Sequence, residues 1–121
     1  MSGKTNDYSS TTLSGSIDTD LQMFKAIFKN DSILRIRNIL RSDGAIKCAL
    51  IYFDGMVNVS MLNESVVRPL ITANIKIGFK LDINYVAESI LFAGEVKSQS
   101  IVADMIRAFL YGDTLLLLDG S

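Results

Sequence analysis

Two stretches of this chain share one plan: Ala49-Leu50-Ile51-Tyr52-Phe53-Asp54-Gly55 and Asp113-Thr114-Leu115-Leu116-Leu117-Leu118-Asp119-Gly120. Each is an apolar run of strand length closed by Asp-Gly, a dipeptide that tolerates the positive backbone torsions of a tight turn. Neither run alternates apolar with polar residues, so neither suits a sheet with one face in water. Leu115 to Leu118 reads as a central strand, covered on both faces and in the same sheet as Cys48 to Phe53. Helices must therefore pack on a short sheet, which makes the fold class α/β or α+β with a small mixed β-sheet.

The rest of the chain supplies those helices. Residues 1–17 are rich in Ser and Thr, carry no apolar period and read as a disordered tail, leaving 18–121 as a single subdomain. Asp18 or Thr19 can cap a helix whose apolar positions are Leu21, Phe24, Ile27 and Phe28. Ile33 to Leu40 and Ala45 to Phe53 flank Ser42-Asp43-Gly44 as a β-hairpin. Asn58 or Ser60 then opens a helix with Leu62, Val66 and Leu70 on one side, and Pro69 should end or kink it near Val67. Residues 72–84 fit a short strand or an extended linker, and Val86 to Phe92 a short helix. Ser100 to Tyr111 is the cleanest helix: Ile101, Val102, Met105, Ile106, Phe109 and Leu110 form one broad face opposite Asp104 and Arg107, with Gly112 as its stop.

The hydrophobic share of 49% is high, yet the apolar runs are far shorter than the roughly 20 residues a spanning helix needs. Met1 to Tyr8 lack the apolar region of a secretory signal. The lone cysteine, Cys48, cannot form a disulfide within the chain and sits in a strand pattern, so it reads as a small core residue. A net charge of -1 gives no global attraction to nucleic acid. Charge is unevenly spread, however. Lys25, Lys29, Arg35, Arg37, Arg41 and Lys47 outnumber Asp31 and Asp43 between residues 25 and 47. Such a segment suits anionic headgroups or an acidic partner, although Arg35 and Arg37 alternate with Leu34 and Ile36 as on a solvated strand face.

Chemistry is largely excluded. The chain has no histidine, which removes the commonest general base, the Ser-His and Cys-His nucleophiles and most zinc and iron sites. No calcium-loop pattern is present, and Gly94-Glu95-Val96-Lys97-Ser98 lacks the glycine that a phosphate loop needs before its lysine. No cofactor is implied, and no catalytic or metal-binding residue is assigned. Asp54 and Asp119 lie at strand ends, where α/β proteins gather their sites, so Asp54, Gly55, Asp119 and Gly120 are the candidate ligand-binding residues. The simpler reading is a turn role, since Asp before Gly bonds nearby amides.

Ala49 to Val57, followed by Asn63-Glu64-Ser65-Val66-Val67-Arg68-Pro69-Leu70, resembles the strand, Asp-Gly turn and ensuing helix of the N-terminal cytoplasmic domain of GerA-family spore germinant receptor A subunits. Gly112-Asp113-Thr114 before the leucine run and Asp119-Gly120 after it are similar to that family's closing strand. The resemblance runs from about Asp20 to the end. It implies a non-enzymatic first subdomain of a two-subdomain region, truncated at its C-terminal end, since family members continue into a second subdomain and a membrane-spanning region. It also implies nutrient-triggered germination beside B and C subunits, together with the remainder of the A subunit, on the core-cytoplasm side of the spore inner membrane. A free-standing soluble ligand-binding or regulatory α/β domain is the alternative. An acid/base enzyme using Asp54 and Asp119 is a third reading.

Overall fold

A computed structural model of the chain describes residues 8–76, 78–91 and 99–120. Helix α1 (Ile17–Ile27) leads into β1 (Leu34–Leu40) and β2 (Lys47–Phe53). Then come α2 (Val59–Leu62), a π-helical segment (Asn63–Val67) and α3 (Arg68–Thr72). After an irregular stretch follow α4 (Ile83–Tyr85), a second π-helical segment (Val86–Ile90), α5 (Val102–Leu110) and β3 (Leu115–Leu118).

The strands form one sheet in the order β1-β2-β3, antiparallel throughout. Cys48, Ala49, Leu50 and Ile51 of β2 are all buried, as an unbroken apolar run requires. Successive strand side chains point to opposite faces. Ala49, Ile51, Phe53 and Leu117 therefore enter one core with α1 and α5, where Phe24, Phe28, Phe53 and Phe109 meet edge-on or tilted. Cys48, Leu50 and Leu118 enter a second core with Val66, Val67, Leu70, Val86 and Ile90. The result is a three-layer helix–sheet–helix sandwich. Edge-to-face ring packing strengthens the first core beyond area burial alone.

Several expectations need correction. The leucine strand is covered on both faces but lies at the sheet edge, with β2 in the centre. Unbroken apolarity reports cover above and below a strand, not a neighbour on each side. The helix expected from Asp18 or Thr19 starts at Ile17, with Ser16 at its N-cap. Residues 8–16, read as part of a disordered tail, make specific contacts: Thr12 bridges Ile101, Tyr8 and Leu13 pack on the first core, and Ser14 bonds Asp20 through its amide and hydroxyl, both at 2.9 Å. Residues 1–7 lie outside the described residues.

Pro69 does not end its helix near Val67. The π-helical segment from Asn63 immediately precedes it, and α3 continues to Thr72. The Arg68 amide reaches back to the Asn63 carbonyl, five residues earlier. Widening the turn lets the helix pass a residue that has no amide hydrogen and crowds the carbonyl four residues before it. Asn58 caps α2, accepting from the Met61 amide at 3.1 Å. Residues 73–76 and 78–82 are irregular, consistent with the linker alternative. The expected helix at Val86 begins earlier, at Ile83, and Phe92 lies outside the described residues.

Candidate functional site

The four strand-end residues do not meet. β2 and β3 are antiparallel, with Cys48 opposite Leu118, so Asp119 follows β3 beside the start of β2 while Asp54 follows β2 at its other end. At about 3.4 Å per residue, the two carboxylates lie on the order of 20 Å apart along the sheet. No acid/base pair can form across that distance.

Each aspartate has a local role. The Asp119 carboxylate accepts a hydrogen bond from the Ile17 amide at 2.9 Å. That amide is one of the unpaired donors at the start of α1, so a residue 102 positions away serves as its cap. The Asp119 amide donates to the Lys47 carbonyl, and the Gly120 amide to the Gly15 carbonyl at 2.8 Å. The Asp54 amide donates to the Ile33 carbonyl at 2.7 Å, and its carboxylate pairs with exposed Arg35 at 3.1 Å. Gly55 and Gly120 both have φ +82°, which explains the glycine after each aspartate.

Two concavities lie on the surface of the described residues. The smaller, about 240 Å³, lies between Pro69, Ala73, Ile75, Tyr85 and Ile90, where the irregular stretch crosses two helices. The larger, about 440 Å³, runs along the C-terminal half of β1 from Arg37 to Asp43 and is closed on one side by Ile71. Its side chains come from the basic segment. Arg41 is only 15% exposed and is not a solvated strand residue: its guanidinium donates to the Leu70 and Ala73 carbonyls at 3.1 and 2.7 Å and pairs with Asp43 at 2.7 Å. The unpaired carbonyls at the end of α3 favour a cation there. The Ala45 amide, helped by Arg41, holds the Asp43 carboxyl below its usual range. Arg37 is exposed and bonds the neutral Asn63 side chain at 2.6 Å. The sequence pointed to a basic segment but not to these carbonyl contacts, because the partners come from a helix 29 and 32 residues further on.

Cys48 is buried in the second core, and burial pushes its thiol up to about 11. Near neutral pH it stays protonated, which suits a packing role. Among the described residues, no group of three or more Cys, Asp or Glu side chains is placed to hold a metal ion.

The fold is similar to that of the N-terminal domain of the A subunit of the Bacillus megaterium spore germinant receptor GerK3. The TM-score is 0.76 at 22% identity, covering 91% of this chain and 44% of that one. This chain thus spans less than half the length of the GerK3 domain. No curated protein matches it. The family described as Bacillus/Clostridium GerA spore germination protein matches residues 22–121, which take in the second core, most of the first, all three strands and the basic edge. The chain belongs to that GerA family.

Proposed function

We propose that this chain is the first, non-catalytic subdomain of a spore germinant receptor A subunit and takes part in nutrient-triggered germination. The observation that carries the reading is the family match across residues 22–121. The fold shared with the GerK3 domain supports it. So does the structural employment of Asp54 and Asp119, the pair that an acid/base mechanism would have needed.

In this reading residues 18–121 act as one folded unit inside a larger receptor, beside B and C subunits and the remainder of the A subunit. The receptor lies at the spore inner membrane, with this region on the core-cytoplasm side. Among the described residues no helix is long and apolar enough to cross a membrane. The strand-end turns at Asp54 and Asp119 help to hold the fold together. A nutrient germinant would meet this subdomain as one wall of a site completed elsewhere, since small ligands need largely enclosing pockets.

The test is genetic. Spores lacking the gene for this chain should lose or slow their response to at least one nutrient, and restoring it with Ile106→Asp, which disrupts the core, should not rescue them. Unchanged germination across a panel of amino acids and sugars would overturn the proposal. In solution, amide-shift titration of the 121-residue chain with the same nutrients should show no saturation tighter than about 0.1 mM, roughly −5.5 kcal/mol. Tighter binding would favour a free-standing sensor.

A further inference from the structure

Among the described residues β1 is an edge strand, and part of its outer side carries unpaired backbone groups. The Asp54 amide bonds the Ile33 carbonyl and the Arg41 amide the Ile46 carbonyl, so odd-numbered residues of β1 exchange backbone bonds with β2. In an antiparallel ladder the alternate residues then face away. The amide and carbonyl groups of Ile36, Asn38 and Leu40 point outward, and no backbone partner from another element is found for them among the described residues. Leu34 is different, because its amide already donates to Asp31.

Natural edges are usually blunted by proline, inward charge, bulges or a covering element. β1 has seven residues in regular register and, among the described residues, no proline, bulge or covering element, although Arg35 and Arg37 put charge on one of its faces. Leu40 is 72% exposed and Ile71, across the 440 Å³ concavity, is 50% exposed. Two large apolar side chains thus flank a row of unpaired backbone groups. Arg37 stands in the same concavity with a neutral amide as its partner.

We propose that this edge binds an extended acidic segment of another polypeptide by strand addition. Backbone bonds to Ile36, Asn38 and Leu40 would supply affinity. A carboxylate beside Arg37 and apolar side chains against Leu40 and Ile71 would supply selectivity. Charge decides between the possible occupants. A second copy pairing through its own β1 would bring Arg37, whose partner is a neutral amide, against the same basic strand, whereas Arg35 is already paired with Asp54. Like charges set opposite one another destabilise a strand pair. An acidic extended segment therefore fits this edge better than a second copy of β1 does. This inference is independent of the germination reading.

The experiment uses the 121-residue chain and a ten-residue probe peptide alternating Val and Glu, with a Val–Lys version as control, followed by amide chemical shifts. The Glu peptide should shift residues 36–43 and Ile71 and bind at least about tenfold more tightly than the Lys peptide. Arg37→Glu, on an exposed position, should reverse that preference. Asn38→Pro removes an outward amide that β2 does not use, so the fold should persist in denaturant melts while peptide binding is lost. Shifts mapping elsewhere, or equal binding to Asn38→Pro and wild type, would overturn the proposal. So would Arg37-dependent binding to phosphatidylserine vesicles or inorganic phosphate in the absence of peptide binding, which would make Arg37 an anion site and not part of a strand receptor.

Discussion

Asp54 and Asp119 carry the same dipeptide motif and do unequal work. Asp54 pairs with Arg35 in the open, where both side chains are about half exposed, and such pairs contribute from nothing to about 1 kcal/mol. Asp119 satisfies a helix-start amide that would otherwise lack a partner. Asp119→Ala should therefore cost about 1 kcal/mol and up to about 2, while Asp54→Ala stays within about 1. Urea melts of the two variants check the order, and a larger loss at Asp54 would refute it. Cys48 gives a pH prediction. Its folded value, about 11, lies above the ordinary thiol value of 9.0, so burial favours the neutral form. As pH rises past the ordinary value, the unfolded chain ionises first and gains stability over the folded one. The Cys48 contribution is thus whole below about pH 9 and lost as pH passes through 11. Cys48→Ala should flatten stability across that window, measured by melts at pH 8, 9, 10 and 11. The aspartates were visible in the sequence as turn residues, but the Ile17 partner was not. No local pattern records a contact between positions 102 apart.

Among the elements, Arg41, just past β1, ties the sheet edge to the end of α3 beside the second core. Arg41 donates to two carbonyls at the helix end while remaining mostly buried, and hydrogen bonds to charged groups contribute about 1.5–3 kcal/mol. Arg41→Ala should cost about that much. Arg41→Lys should recover only part of it, because a compact ammonium lacks the planar fork that reaches both carbonyls and Asp43. Equal stability of the Lys variant and wild type would show the fork to be unnecessary. In β3, Leu117 is buried in the first core while Leu116, on the other face, packs only partly buried against the second. Leu117→Ala should cost about 2–5 kcal/mol and Leu116→Ala less. A larger loss at Leu116 would contradict the assigned faces. The strands were legible because apolar runs of this length have few other uses. The hairpin was legible too, since Gly44 has φ +73° and Ala45 donates to the Asp43 carboxylate at 3.0 Å, as an Asp-Gly turn predicts. The π-helical segments were not legible. The same apolar positions suit α and π turns alike, so Pro69 suggested an end or a kink where the helix in fact widens.

For the molecule as a whole, α5 decides whether the first core closes. Val102, Ala103, Met105, Ile106 and Phe109 are buried, and Arg107 pairs with Asp104 on the opposite side. Ile106→Asp places an unpaired charge among phenylalanines and should abolish cooperative unfolding. Arg107→Ala should change stability by no more than about 0.5 kcal/mol. Circular dichroism of both variants checks the contrast, and a folded Ile106→Asp chain would reverse the helix face. The bond from Ile17 to Asp119 also sets a timetable for synthesis. α1 is among the first elements made, yet its capping carboxylate is translated 102 residues later. At about 5–20 residues per second, the helix waits roughly 5–20 s on the ribosome before the fold can close around it. Throughout that interval Phe24 and Phe28 have neither Phe109 nor β3 to cover them. The nascent chain thus carries exposed aromatic surface until α5 and β3 arrive to cover it.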